Sequence, residues 1–254
     1  MSDIMLQIEN LSASYDEDAE VIKNVNLSVN RGEVFCLVGE SGSGKSTLVR
    51  AVSGDASVRI TGGNIFFDGE CISDLRGRQR AGYLGKKIGF IQQNPAGAFN
   101  PIRRILPQLR ETVRSHGMEL DDKRLCEIFS TLNLKDPERI LKSRPYELSG
   151  GMNQRIAIAA SCILGPRLLL CDEITSALDV TTAIAVTDEL LRLKNEMNTA
   201  VLLVTHNLGI AANIADRIGI MYDGQIVECG EAGHVVSFPE AEYTKRLLRN
   251  VPSL

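Results

Sequence analysis

Residues 4–35 alternate apolar with polar positions, first as IMLQIENLSASY and then as VIKNVNLSVNRGEVF, with an acidic turn at 16–20 and a turn at Asn30-Arg31-Gly32. Period-two alternation between turn residues predicts short antiparallel strands. The stretch 54–92 continues in that manner, since GGNIFFDGECI turns at Asp68-Gly69 and IGFIQ reads as a further strand. Between those two, RGRQRAGYLGKK is expected to be a solvated basic face or loop. Residues 92–101, QQNPAGAFNP, hold two prolines and one glycine, which marks a loop.

From 102 to 164 the period becomes that of a helix. RRILPQLRETVRSHG and DDKRLCEIFSTLNL carry helix-spaced apolar positions, and SGGMNQRIAIAASCIL opens on a cap-like Ser-Gly-Gly. Strand patterning then resumes, so this block is expected to be a helical insertion in an α/β core. RLLLCDE (167–173) and AVLLVTH (200–206) are continuous apolar runs separated by a helix over 181–197, the pattern of a parallel βαβ unit. IGIMYDGQIVECG predicts a hairpin at Asp223-Gly224, and 241–250 a short surface helix.

The run 34–47, VFCLVGESGSGKST, places a buried strand, a glycine loop and a helix start in succession. This is G-x-x-x-x-G-K-[ST] in the setting that its chemistry needs. Gly39, Gly42 and Gly44 are expected to take positive φ and bring backbone N–H groups to phosphate oxygens. The helix start aims its partial positive charge at the same anion. Lys45 can reach the β- and γ-phosphates and the Ser46 hydroxyl can sit on Mg²⁺. Glycine loops also join strands to helices with no ligand, but the full spacing in this context points to a nucleoside triphosphate.

Other residues extend that site. Asp172 and Glu173 end an apolar strand, where one acid can hold Mg²⁺ and its neighbour polarise an attacking water. His206 ends the next such strand and should emerge on the same carboxyl edge as the glycine loop, within reach of the γ-phosphate. Ser149, Gly150 and Gly151 offer a hydroxyl and bare N–H groups at a second helix start, as an anion device or as a plain cap. Tyr15 is either a strand-edge aromatic or a plate on which adenine stacks. Two anion-binding helix starts in one chain suggest that the second serves a nucleotide held by another subunit.

Composition narrows the class. With 254 residues, 44% hydrophobic, 24% charged and a net charge of −4, the chain reads as a globular protein and not as a general nucleic-acid binder. The length allows one large domain or a core with an inserted subdomain. Cys36, Cys71, Cys126, Cys162, Cys171 and Cys229 form no C-x-x-C pair, and buried free thiols in a reducing cytoplasm are expected. MSDIMLQIEN lacks the pattern of a secretory leader, and the longest apolar run, 156–165, falls short of the roughly 20 residues that cross a bilayer. Any membrane role would come through a partner.

Taken together, these motifs resemble the nucleotide-binding subunit of ATP-binding cassette (ABC) transporters. GESGSGKST resembles that family's phosphate loop (Walker A), LSGGMNQ its signature sequence, LLLCDE its second acidic motif (Walker B) and SALD (176–179) its D-loop. His206 matches its switch histidine, Gln93 the glutamine of its Q-loop and Tyr15 its adenine-stacking aromatic. The motifs occur in family order across most of the chain. The resemblance implies one ATPase domain: a P-loop NTPase (RecA-like) α/β core with an antiparallel β subdomain at 1–94 and 166–230, an inserted helical signature subdomain at 95–165, and a tail at 231–254. It implies ATP held by Tyr15, Gly39, Ser41, Gly42, Ser43, Gly44, Lys45, Ser46 and Thr47, with Asp179 of the D-loop. Mg²⁺ would lie on Ser46, Gln93 and Asp172, and hydrolysis would use Glu173, His206 and Gln93. Two subunits, identical or homologous, would sandwich two ATP molecules head to tail, with Ser149, Gly150 and Gly151 coming across from the other subunit.

YLGKKIGFIQQNPAGAFNP, SRPYELSGGMNQR and EYTKRLL resemble more closely the ATPases of the oligopeptide, dipeptide and nickel uptake family. AFNP and the end at Leu254 lean toward the nickel branch. This implies two transmembrane permeases, an extracytoplasmic substrate-binding protein, no nucleic acid, and a peripheral place on the cytoplasmic face of the membrane. Ile174 replaces a usual proline, Asn207 a usual Asp, and Ala241-Glu242 a common His-Pro, none of which removes a group that the chemistry needs. The alternatives are an exporter ATPase for drugs or antibiotic peptides and a soluble non-transport ABC ATPase. The latter would need coiled-coil arms, two cassettes or a basic surface. A P-loop kinase or GTPase would lack LSGG and SALD.

Overall fold

The computed structural model describes residues 3–15, 19–75, 77–176 and 178–249. Residues 16–18 of the expected acidic turn, Arg76 of the basic stretch, Ala177 of the SALD segment and the last residues of the tail lie outside them. The chain begins with β1 (Ile4–Ser14) and β2 (Ile22–Asn30), paired antiparallel with Leu6 opposite Val29 and Ile8 opposite Leu27. The antiparallel reading of 4–35 stops at Asn30. Beyond Gly32 (φ 65) the chain crosses to a second sheet as β3 (Val34–Val38), buried at all five positions. A strand that is apolar on both faces needs cover on both, which the outer sheet cannot supply.

The helix α1 (Lys45–Ser53) follows the glycine loop. Then β4 (Arg59–Phe67) returns to pair with β1, and β5 (Glu70–Cys71) closes a hairpin whose Asp68 and Gly69 take φ 52 and 80. Two left-handed residues are what a two-residue hairpin turn demands. In α2 (Gly77–Ala81) the structure corrects the basic stretch, because Arg80 is buried and not solvated. Its guanidinium donates to the carbonyls of Ile72 (2.8 Å), Ala51 (3.3 Å) and Val52, adding to the Gly54 N–H that the Ala51 carbonyl also accepts and capping the end of α1.

After β6 (Ile88–Ile91) come the helices α3 (Ile105–Ser115), α4 (Asp122–Thr131), α5 (Pro137–Lys142) and α6 (Gly150–Cys162). Asp121, Asp136 and Ser149 cap the last three by accepting helix N–H groups on their side chains. The parallel unit β7 (Leu168–Asp172), α7 (Val180–Met197) and β8 (Ala200–Thr205) follows, then α8 (Leu208–Ile214) and the hairpin β9 (Arg217–Tyr222) and β10 (Gln225–Glu231). Two helices end the described chain: α9 (Ala232–Ser237), too short to show in the sequence pattern, and α10 (Glu242–Arg249).

Among the described residues there are two sheets, β2-β1-β4-β5 and β10-β9-β3-β8-β7-β6, the second parallel except for its edge strand β10. Side chains of the second sheet alternate between two cores. Cys36, Leu169, Cys171 and Leu203 join Ile156, Val186 and Leu190 on the helical side. Phe35, Leu37, Leu170 and Leu202 join Leu48 and Val52 of α1 and the inner face of the antiparallel sheet. Helix α6 is tied to α7 by Arg155, which donates to both carboxylate oxygens of buried Glu189 (2.6 and 3.0 Å), and Asn133 adds a third bond at 2.9 Å. Cys36, Cys162 and Cys171 are buried thiols as expected, whereas Cys71, Cys126 and Cys229 are exposed.

Replacing Arg80 with Leu leaves the carbonyls at the end of α1 without their charged donor. The expected loss is about 2–3 kcal/mol of folding stability, read as a lower urea midpoint at constant slope.

Candidate functional site

Strands β3, β8 and β7 lie side by side and end level, with Val38 opposite Thr205 and Val204 opposite Asp172. The glycine loop, His206 and the two acids are therefore brought to one carboxyl edge of the sheet. Gly39 does not take positive φ, contrary to expectation; a Cβ there would lie 2.3 Å from the Met221 carbonyl oxygen and 2.8 Å from Ser43 Oγ. Room, not backbone conformation, requires glycine at that position. Gly42 (φ 84) and Gly44 (φ 104) do take the left-handed region. Gly44 is also the N-cap of α1 and has no capping side chain, so the first N–H groups of that helix face the loop without one. Ser41 and Gly42 are exposed at the loop tip, and Ser43 and Thr47 are buried beneath it.

The Lys45 side chain is buried, and its ammonium donates to the carbonyls of Gly39 and Glu40, both at 2.8 Å. Burial lowers its pKa, while Glu173, Asp172 and Glu40 act to raise it. Among the described residues no carboxylate forms an ion pair with it. A buried cation met only by neutral oxygens suits an anionic ligand. Ser46 Oγ donates to Asp172 Oδ1 at 2.8 Å. Burial raises the Asp172 pKa, the Ser46 hydroxyl lowers it, and the neighbouring Glu173 charge raises it again. The hydroxyl and the carboxylate form a pair of hard oxygen donors, the chemistry that Mg²⁺ takes.

Glu173 has φ 46, a left-handed conformation that a non-glycine residue adopts at a cost, and its N–H donates to the Val204 carbonyl at 3.0 Å. Gln93 Nε2 donates to Glu173 Oε2 at 3.2 Å and reaches Ser176 Oγ at 3.4 Å. His206 Nδ1 stands 3.5 Å from the same Glu173 oxygen. Loop, acids, glutamine and histidine thus meet as the sequence suggested. Tyr15 lies beside them, its hydroxyl sharing a hydrogen bond with Thr47 Oγ1 at 3.1 Å. Sequence reasoning missed Arg50, which reaches the Tyr15 hydroxyl at 3.5 Å; its position three residues after Thr47, on the same helix face, was the available signal. Ser176 as a partner of Gln93 was also missed, since the two are far apart in the chain.

Ser149, Gly150 and Gly151 stand on a different element, at the start of α6, where Ser149 Oγ accepts the Met152 N–H at 3.2 Å. A Cβ on Gly150 would meet nothing within 4 Å, and one on Gly151 would make only ordinary contacts, the nearest at 3.4 Å. The chain's own packing does not require glycine at 150. Asp179 is exposed and caps α7 by accepting the Thr182 N–H at 3.0 Å; the Thr182 side chain first, and then this N–H, hold its pKa below the ordinary value. Asn207 accepts the Ile210 N–H at 3.1 Å and so caps α8 as an Asp would, while Ile174 is buried.

The family model described as ABC transporter matches residues 22–176. The chain is 38% identical over 240 residues to the oligopeptide transport ATP-binding protein OppD of Lactococcus lactis subsp. cremoris (strain SK11), covering 92% of this chain and 71% of that one. It is 39% identical over 235 residues to the metal-staphylopine import system ATP-binding protein CntD of Staphylococcus aureus (strain Mu50), covering 91% and 87%. A solved dimeric structure of the post-hydrolysis state of the ATP-binding cassette MJ0796, bound to ADP and Pi, matches with a TM-score of 0.78 at 28% identity, over 90% of this chain and 99% of that one. No described helix is long and apolar enough to cross a membrane. The matched stretch runs through the glycine loop and both acids, and on that ground the chain belongs to the ABC transporter family, among its ATP-binding and ATP-hydrolysing cassettes.

Proposed function

We propose that this cassette works at the cytoplasmic face of a membrane, beneath two permease subunits, and couples ATP hydrolysis to the uptake of small peptides or metal-chelating ligands delivered by an extracytoplasmic binding protein. The names of the two curated relatives, one for oligopeptide transport and one for metal-staphylopine import, support uptake over export. The observation that carries the reading is the separation of two anion-binding devices. The glycine loop gathers Lys45, Ser46, Asp172 and Glu173, while the helix tip at 149–151 belongs to another element and keeps open space at Gly150. Two subunits placed head to tail bring one device against the other.

In this arrangement Tyr15 stacks on adenine, and the loop N–H groups of 41–47 hold phosphate oxygens. Lys45 leaves the carbonyls of Gly39 and Glu40 for the β- and γ-phosphates. Ser46, Asp172 and Gln93 would hold Mg²⁺, which when bound neutralises phosphate charge. Glu173 orients the attacking water and accepts its proton, held in place by Gln93 and His206. Asp179 lies beside the nucleotide on the surface that meets the second subunit. The core at 1–94 and 166–230 carries this chemistry, and the helical part at 95–165 presents the signature tip and receives the permease. The tail at 231–254 packs its helix α10 near the glycine loop.

Lys45→Ala removes the cation nearest the phosphates, and equilibrium binding of a fluorescent ATP analogue should fall below detection at concentrations that saturate the wild type. Glu173→Gln should keep ATP binding, lose hydrolysis by about a hundredfold or more, and run as a dimer in gel filtration with ATP. For the sandwich, a Ser149→Phe subunit mixed with a Lys45→Ala subunit should retain one working site. A doubly substituted subunit mixed with wild type should retain none, and the opposite pattern would place the signature tip on its own chain's nucleotide.

A further inference from the structure

We infer that α10 secures the entrance of the glycine loop and that Tyr243 is a positioning residue for nucleotide binding, an inference that rests on the ATP site proposed above. The Tyr243 hydroxyl accepts the Glu40 N–H at 3.1 Å, joining residues 203 apart in the chain. The carbonyl of Glu40 accepts from Lys45 at 2.8 Å, so both polar backbone groups of this residue have fixed partners. Arg246 lies one turn further along α10. Its guanidinium is 3.7 Å from the Glu40 carboxylate and 5.1 Å from the Tyr243 ring centre. The Tyr222 ring packs on Tyr243 at 4.4 Å. Tyr222 follows Met221, whose carbonyl closes over Gly39, and Gly224 in the next turn donates its N–H to the Ser43 carbonyl at 3.0 Å.

The helix itself is seated from below. The Glu228 carboxylate on β10 accepts the N–H groups of Glu240 (2.9 Å) and Ala241 (3.1 Å) just ahead of α10, and Thr244 is fully buried. The Tyr-Thr pair of EYTKRLL therefore does two things: Thr244 sits in the interior and Tyr243 meets the loop.

When a triphosphate enters, Lys45 turns from the Glu40 carbonyl to the phosphates; that carbonyl keeps the Ser43 N–H at 3.2 Å, inside the loop itself, and the Glu40 N–H keeps the Tyr243 hydroxyl, which ties this backbone to α10. The orientation of that backbone sets where the following N–H groups point. Without the hydroxyl, the loop must be ordered at the expense of binding, so the loss should appear in affinity and not in the chemical step.

Tyr243→Phe removes the hydroxyl and keeps the ring between Tyr222 and Arg246. The Kd for Mg·ADP and for a non-hydrolysed ATP analogue, and the KM for ATP, should each rise about fivefold, with kcat within about twofold of wild type and an unchanged unfolding midpoint without nucleotide. Lys245→Ala, on the same helix and paired with Glu242, should leave all of these values as they are. Glu228→Ala, which unseats the start of α10, should reproduce the affinity loss if Tyr243→Phe fails to fold. Unchanged nucleotide affinity in both folded variants, or a lowered unfolding midpoint with unchanged affinity, overturns the positioning role. A wild-type chain that binds no nucleotide overturns the ATP site itself, and with it this inference.

Discussion

The hydrogen bond from Ser46 to Asp172 joins the first turn of α1 to the end of β7, and it forms only because β8 sets β3 and β7 level. That common edge is the constraint on which the rest depends. Strands apolar on both faces must be covered on both, so the sheet lies between the helical layer and α1 with the outer sheet. What remains exposed is the line of strand ends, and the polar chemistry collects there. It collects under tension: a buried lysine held by carbonyls, an aspartate whose burial disfavours its charge, and a glutamate in a left-handed conformation. In the proposed site a triphosphate with its metal ion would answer the first two of these, supplying negative charge to the lysine and positive charge to the aspartate.

The helical layer is braced by a buried ion pair. Arg155, on the helix that begins after Ser149, is paired with Glu189 on α7, and Asp179 caps the start of α7. The tip at 149–151 and the segment leading into α7 are thereby parts of one stiff body.

The local features were legible in the sequence and the distant ones were not. Residues 39–47 announce their loop because spacing and flanking patterns lie within a few residues of one another. Asp172, Glu173 and His206 could be brought together on paper because apolar strands in a βαβ order end on the same side. The need for glycine at 39 cannot be read locally, since the neighbour that leaves no room for a Cβ, the carbonyl of Met221, lies on a strand far along the chain. Val34 and Phe35 fall both at the end of the antiparallel stretch 4–35 and at the start of the buried run 34–38, and the lack of alternation in that run places them in the inner sheet. Arg80 looked like one more surface charge because nothing local shows that α1 ends above it, and the contact of Tyr243 with Glu40 joins regions at opposite ends of the sequence.

The division among the thiols has a practical consequence. Cys71 lies at the rim of the antiparallel sheet, Cys126 on a helix of the inserted block and Cys229 on the edge strand β10, so the exposed thiols fall in three different regions of the folded molecule, with Cys229 the slower to alkylate because partial burial raises its pKa. Cys36, Cys162 and Cys171 sit in the interior with their ionisation suppressed by burial, and stay silent until the chain opens. The same six sulfurs therefore supply fluorescence rulers for movements between regions and an internal alarm for unfolding, with no cysteine added or removed.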